Sequence, residues 1–469
     1  MNLVPIKASA APSRVDLAIV GAGPAGMAAA ITARECGLSV LVVDENAAPG
    51  GQVFRAAELA GTDPAVARDM APGLELIARF RALDITYRPG ATLWMLDPDT
   101  GTLSLSRSNE TLEFVADRIL LATGAQERPM PIPGWTLPGV MSAGAAQIAL
   151  KTAGMVPSGK VVLAGQGPLM WLLANQLIRA GVMPVLVETR SRSILRTALE
   201  QGGILSGFGQ LAKGIGLILN ARRAGMRVIS GARHLRAEGG ARVQTLRFEG
   251  GIEPCDTLLL HEGVIPSTHI SMAIGLEHVW DARQLCWRPK LDAFGASSHA
   301  SIAVAGDGAV IGGWEAAVAA GQLAAVDAGL RLGRISRADR DSRAEASAGA
   351  LLQARALRPF LDALYAPSQE ILAPSEESTI ICRCEEVTAG SLRWAAAIGA
   401  TGPNQAKAYL RCGMGPCQGR LCGPTVSAVI AETRNVPVEE VGHFRPRAPY
   451  KPITVQELAG APLGANRLS

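Results

Sequence analysis

Five of the eight cysteines in this 469-residue chain fall between Cys382 and Cys422. They run as Cys382-Arg383-Cys384, then Cys412-Gly413-Met414-Gly415-Pro416-Cys417, with Cys422 behind. Thiols this close together are costly to keep reduced and idle, so the pattern points to a metal. Four thiolates fit either a [2Fe-2S] cluster or a structural zinc ion. Zinc ribbons usually separate paired cysteines by about two to four residues, so the Cys-x-Cys start favours iron–sulfur. The other three, Cys36, Cys255 and Cys286, stand alone and read as small core residues.

A second kind of chemistry lies at the other end of the chain. Gly21-Ala22-Gly23-Pro24-Ala25-Gly26 follows the apolar strand DLAIV and opens an Ala-rich helix. Gly21 permits the tight turn, Gly23 lets backbone approach a pyrophosphate, and Gly26 lets helix and strand pack closely, with phosphate on the helix N-terminus. Asp44 ends the next strand, SVLVVD, where a carboxylate accepts from a ribose hydroxyl, and Glu45 beside it joins the candidate nucleotide ligands. The pattern returns from Lys160 as the strand KVVLA, Gly165-Gln166-Gly167-Pro168, an apolar helix and a strand ending in Glu188. Here the third fingerprint position is Met170, and Met170 and Trp171 are expected to crowd the turn. The readings of this second fold are NAD, another adenine nucleotide such as ATP, or an empty structural fold. His261 and His269 are tempting acid–base groups, but lone histidines at strand ends are more often structural.

The scaffold for these residues follows from pattern and composition. The length allows two or three domains. With 48% hydrophobic residues, 18% charged, 52 Gly and 29 Pro, the chain reads as Gly-rich α/β. The expected fold class is α/β, with two Rossmann-like dinucleotide-binding domains, the second inserted in the first, and a small C-terminal cysteine-rich [2Fe-2S] module. The expected division is residues 14–150 and 271–335 for the first nucleotide domain and 151–270 for the second. A helical linker (336–377), the cysteine module (378–435) and an extended tail (436–469) complete it.

A net charge of +4 without a dense basic, aromatic-interleaved block argues against nucleic acid. The short stretch before the first strand is too small for an export signal, and the small-residue run Ser301–Ala328 is broken by Asp307, Glu315 and Asp327. A cytoplasmic protein, peripheral to the inner membrane through its complex at most, is the expectation.

Three further segments resemble the two-dinucleotide-domain flavoproteins related to thioredoxin reductase. These are Pro49-Gly50-Gly51-Gln52, the strand-ending Leu121-Ala122-Thr123-Gly124-Ala125, and Ala303-Val304-Ala305-Gly306-Asp307-Gly308. The resemblance implies FAD in the first fold, with Gly51, Gln52, Thr123 and Gly124 near it. It implies Asp307 at the ribityl chain or pyrophosphate edge, with Gly306 giving backbone access; the structural alternative for Asp307 is to cap the helix that starts near Gly312. The redox cysteine pair of the disulfide-reducing relatives is missing between Met1 and Ala303, which disfavours disulfide reduction.

CRCEEV, a helical stretch and RCGMGPCQGRLC together resemble the bacterioferritin-associated-ferredoxin type of [2Fe-2S] module. That resemblance implies Cys382, Cys384, Cys412 and Cys417 as ligands, with Cys422 a fifth cysteine able to replace one of them. The whole order of parts resembles the alpha subunits of hetero-oligomeric amino-acid dehydrogenases. That family includes the A subunit of opine oxidase, the alpha subunits of D-hydroxyproline and dye-linked proline dehydrogenases, and the B subunit of hydrogen cyanide synthase. The family implies an electron-relay subunit that works with two partners, a flavin-containing beta subunit plus a small gamma subunit, and passes electrons to a respiratory acceptor. Amino-acid oxidation would then sit in the beta subunit, so no catalytic acid or base is assigned here. The alternatives are a stand-alone NADH-dependent flavin/iron–sulfur reductase and a non-enzymatic scaffold holding FAD and zinc.

Overall fold

In the computed structural model, residues 13–60, 63–190, 194–203 and 207–460 are described. The apolar strand Ser13–Val20 lies at the middle of a seven-stranded sheet. Its parallel neighbours are Val40–Asp44 on one side and Glu110–Leu121 on the other, in register Val20 with Val43 and Val20 with Leu121. That register brings the ends of three strands together at the Gly21 turn. Thr86–Pro89 extends the sheet beyond Val40–Asp44, and Thr92–Asp97 and Thr102–Arg107 form an antiparallel flank. Ile302–Val304, far along the chain, returns to pair parallel with Glu110–Leu121 and delivers Gly306-Asp307-Gly308 to the same end.

Helices Pro24–Glu35 and Trp314–Arg331 pack across one face of this sheet. Their backbones approach so closely that a Cβ at Gly321 would lie 2.1 Å from the Ala25 carbonyl oxygen. Small residues in both helices therefore serve contact between backbones, which a larger side chain would prevent.

The second nucleotide fold is a parallel five-stranded sheet in the order Val228–Ser230, Val185–Glu188, Val161–Gln166, Thr257–Glu262, Val140–Ser142. Its edge strand Val140–Ser142 and most of the helix Ala143–Ala153 precede residue 151, so the expected boundary at 150/151 falls inside a helix. Ser142 caps that helix through Ala145 N–H, continuing strand into helix without a linker. The crossing between domains is instead the antiparallel pair Ala125–Glu127 with Val264–Pro266.

The linker region is helical over Arg337–Arg355, Arg358–Leu364 and Gln369–Leu372, the first opened by a Ser336/Asp339 capping box. The cysteine module builds its own core from Ile381, Leu392, Val426, Val429 and Phe444 around a short hairpin and three helices. The segment after residue 436 differs from the expected extended tail. It carries the helices Val438–Val441 and Val455–Ala459, and Tyr450 is buried against the first sheet, its N–H donating to Trp94 O at 2.8 Å. Among the described residues, no helix is long and apolar enough to cross a membrane.

Candidate functional site

At the first turn, Gly21 has φ +109°, and a Cβ there would meet the Ala122 carbonyl oxygen at 2.4 Å. A Cβ at Gly26 would come 1.8 Å from Gly21 O, and one at Gly51 would come 2.9 Å from Gly23 Cα. Glycine is thus required where turn, helix and the Pro49–Gln52 loop converge. The helix Pro24–Glu35 starts at Gly23 with no side-chain cap, which leaves its first N–H groups to a ligand. That uncapped end fits a dinucleotide pyrophosphate.

Asp44 is buried beside this turn and accepts from Ala22 N–H at 2.6 Å and from Asn46 N and Nδ2 at 2.7 and 2.8 Å. Glu45 is exposed and ion-paired with Lys451 of the C-terminal segment. Asp307 follows Gly306, where a Cβ would meet Ala25 Cβ of the helix Pro24–Glu35 at 2.8 Å. Asp307 Oδ1 accepts from Gly312 N at 2.8 Å and Gly313 N at 3.1 Å, which holds the loop leading into the helix Trp314–Arg331. Thr123 Oγ1 donates to Ser267 O at 3.0 Å, and Gly124 O accepts from Ser267 N.

Lys151 gave no signal in the sequence, yet its Nζ donates to Gln52 O at 3.2 Å, Val53 O at 2.9 Å and Gln147 Oε1 at 3.1 Å. Burial holds its pKa down to about 8. It fastens the loop that follows Gly51.

In the second fold, Gly165 and Gly167 form the turn before the helix Pro168–Arg179, which also lacks a side-chain cap. Met170 and Trp171 do not crowd this turn, contrary to expectation. Both are buried in the core with Leu173, Leu177 and Leu259, because the helix turns those positions toward its sheet. Glu188 is buried and accepts from Arg190 Nε at 3.1 Å and Ser230 Oγ at 3.3 Å. A pocket beside it is lined by Glu188, Arg190, Leu195, Arg222 and Ser230.

His261 binds Glu127 through Nδ1 at 2.7 Å, joining the strand that follows Gly124 to the second sheet. Burial pushes the Glu127 carboxyl up, but the hydrogen bond and charge of His261 together with bonds from Ser142 and Gly144 N–H hold the group below its ordinary range. His269 is kept neutral chiefly by burial, its pKa pushed down to about 4, and its Nε2 has no hydrogen-bond partner among the described residues.

The five cysteines converge. The Sγ atoms of Cys382, Cys412 and Cys422 lie within 4.8 Å of one another, all buried, and Cys384 Sγ and Cys417 Sγ are 3.9 Å apart at the more exposed side. Cys422, left outside the expected four, therefore sits in the sulfur set, carried to the start of the helix Gly423–Arg434. The loop fits closely over the set, since a Cβ at Gly415 would meet Cys384 Cβ at 2.2 Å.

Hydrogen bonds from the Cys412 and Cys422 thiols hold the Cys382 thiol far below its usual range, and the same contacts raise the other two. A [2Fe-2S] cluster is held by four cysteine sulfurs, and this group supplies enough donors in one place. The module meets the flavoprotein body through Gln126 Nε2, which donates to Arg420 O at 2.8 Å, and Trp135 Nε1, which donates to Ile380 O at 2.6 Å.

Residues 15–324 match the pyridine nucleotide-disulphide oxidoreductase family, and residues 380–432 match the BFD-like [2Fe-2S] binding domain. The chain is 44% identical to the A subunit of opine oxidase from Agrobacterium tumefaciens (strain Ach5), over 97% of this chain and 93% of that protein. It is 32% identical to hydrogen cyanide synthase subunit HcnB of Pseudomonas aeruginosa, over 93% of this chain and 96% of that one. The crystal structure of L-proline dehydrogenase from P. horikoshii shares the fold with a TM-score of 0.72 at 20% identity, covering 96% of this chain and 81% of that one.

Fold, turns and sulfur set together define an oxidoreductase flavoprotein whose cofactors are FAD and a [2Fe-2S] cluster. The chain belongs to the family of the opine oxidase A subunits. It is a FAD/[2Fe-2S] subunit of the amino-acid dehydrogenase type.

Proposed function

We propose that this chain is the electron-accepting alpha subunit of a hetero-oligomeric dehydrogenase that oxidises the C–N bond of an amino acid of the D-hydroxyproline, opine, proline or glycine type. A flavin-containing beta subunit removes the hydride, a small gamma subunit completes the assembly, and electrons leave to a respiratory acceptor. FAD exchanges one or two electrons and a [2Fe-2S] cluster one at a time, so the pair divides a two-electron oxidation into single steps.

The single observation that carries the reading is the join between the two sites. The strand that follows Thr123 and Gly124 bonds through Gln126 directly to Arg420 in the cysteine loop, between Cys417 and Cys422. The connection brings the cysteine loop next to the strand that leaves the proposed flavin site, the proximity that electron transfer between the two would require. The named relatives are themselves designated as subunits, which supports the requirement for partners.

The residues proposed to hold FAD are Gly21, Gly23, Pro24, Ala25, Gly26, Asp44, Glu45, Gly51, Gln52, Thr123, Gly124, Gly306 and Asp307. The cluster is proposed to draw its four ligands from Cys382, Cys384, Cys412, Cys417 and Cys422. Gly165, Gly167 and Glu188 are proposed to bound the second adenine-nucleotide site.

An anaerobic absorbance and EPR titration tests the reading. The chain is mixed with a panel of opines and cyclic amino acids, with and without its co-purified partner. Reduction of flavin and cluster only when partner and substrate are both present is expected; reduction by substrate without the partner would show that the oxidising site lies in this chain.

A further inference from the structure

The helical linker does more than connect domains. Within the residues from Arg355 to Ala366 it touches both nucleotide folds at the places where each turns toward its ligand. On the second fold, Gln166, the middle residue of the Gly165–Gly167 turn, donates through Nε2 to Ala366 O at 2.9 Å and to Glu262 Oε1 at 2.6 Å. Gln166 and Glu262 are both buried. Beside them the Arg190 guanidinium, paired with Glu188, stands 5.9 Å over the Tyr365 ring.

On the FAD domain, Gln284 Nε2 binds Asp362 Oδ2 at 3.3 Å and Ile311 O at 3.0 Å, in the loop just after Asp307. Arg355 lies beside Gly312, at the end of that loop, where a Cβ would come within van der Waals contact of Arg355 Nε at 3.4 Å. Leu357, Phe360 and Leu364 are buried with Ala198 of the second fold, which anchors the segment by apolar contact as well.

In α/β nucleotide folds the ligand lies in the crevice outside the carboxyl ends of the strands, with pyrophosphate on the glycine turn. A pyridine dinucleotide on the second fold would place its adenosine ribose near Glu188 and pass its other half beyond the Gly165–Gly167 turn toward the flavin domain. The linker bonds to both ends of that route, at Gln166 on the second fold and at Gln284 on the first. The adenosine end stays open, as the pocket of Glu188, Arg190, Leu195, Arg222 and Ser230.

We propose that Arg355–Ala366 is a wedge that closes the crevice between the two folds to the nicotinamide half of a pyridine dinucleotide. The wedge makes the linker the specificity element of the second site: the site distinguishes nucleotides by their adenosine and phosphate groups and not by what extends beyond them. It also keeps hydride from NADH away from the flavin.

The test uses the holoprotein. Binding of ADP and of NADH is measured by calorimetry, and flavin absorbance is followed anaerobically with NADH. The wild type is compared with an Arg355→Ala/Tyr365→Ala variant and with a chain whose residues 356–366 are replaced by a Gly–Ser linker of equal length. In the wild type, NADH is expected to bind no tighter than ADP and to leave the flavin oxidised. In at least one altered chain NADH gains about tenfold over ADP. Wild-type binding of NADH about tenfold tighter than ADP, or bleaching of its flavin, overturns the wedge. So does an unchanged NADH/ADP ratio in chains whose segment limited proteolysis shows to be released. Partner-driven reduction is measured separately, so a failed wedge leaves the amino-acid dehydrogenase reading standing.

Discussion

At the scale of single residues, the cysteine centre is over-determined. Five thiols lie where a [2Fe-2S] cluster takes four, and burial divides them into an inner trio of Cys382, Cys412 and Cys422 and an outer pair of Cys384 and Cys417. Cys382 accepts from both inner neighbours and from the backbone of Gly413 and Glu385, which places it at the centre of the inner trio. Cys382→Ser is therefore expected to abolish bound iron and the reduced-cluster EPR signal. Cys412→Ser and Cys422→Ser are each expected to keep near-full iron, because in either variant the remaining inner sulfur still completes a set of four with Cys382, Cys384 and Cys417. Loss of iron in either one would mean that Cys412 and Cys422 do not share one ligand position.

At the scale of elements, the C-terminal segment behaves as a strap on the first sheet. Tyr450 Oη accepts from Leu96 N–H at 3.1 Å and donates to Leu96 O at 3.2 Å, and Glu457 binds Ser106 while its carbonyl accepts from Thr111. Lys451 reaches Glu45 at the edge of the first nucleotide turn. Tyr450→Phe removes both bonds to a buried strand and leaves its groups without partners, a loss of about 1–3 kcal/mol. A melting temperature lower by a few degrees, with FAD content unchanged, is the expected result in a thermal scan. An unshifted midpoint would show that the strap is not part of the cooperative fold.

At the scale of the molecule, the junction between flavin domain and cysteine module is built on half-buried neutral imidazoles. His269 and His278 are each pushed down to about 4, first by burial and then by neighbours: the Arg420 and Lys407 charges for His269 and the His443 ring for His278. Between about pH 6.5 and 4 the unfolded chain binds protons at these positions that the folded chain refuses, so stability rises with pH across that window. It is present in full above about 6.5 and is lost as pH falls toward 4, by roughly 3 kcal/mol at most for each histidine. A series of melting curves at stepped pH should show this slope, and His278→Gln should flatten it. An equal slope in that variant would place the acid sensitivity elsewhere.

Glycine turns and thiol spacing are local, so the order of residues was enough to reveal the chemistry. Gly21, Gly23 and Gly26 lie within one turn of chain, and their roles follow from what a Cβ would strike nearby. Cys382 and Cys384, and Cys412 and Cys417, are likewise held together by short loops. The two nucleotide folds, the family and the cofactors were legible for that reason. What depends on long sequence separation emerged only on folding. Strand Val140–Ser142 belongs to the second sheet because of Thr257–Glu262, more than a hundred residues on. Met170 is a core residue because its helix faces inward, and Lys451 meets Glu45 only when the tail folds back. The bond from Gln166 to Ala366 spans 200 residues, and no local pattern encodes it. Such contacts are made by the closure of loops around a packed core, which fixes partners that spacing along the chain cannot name.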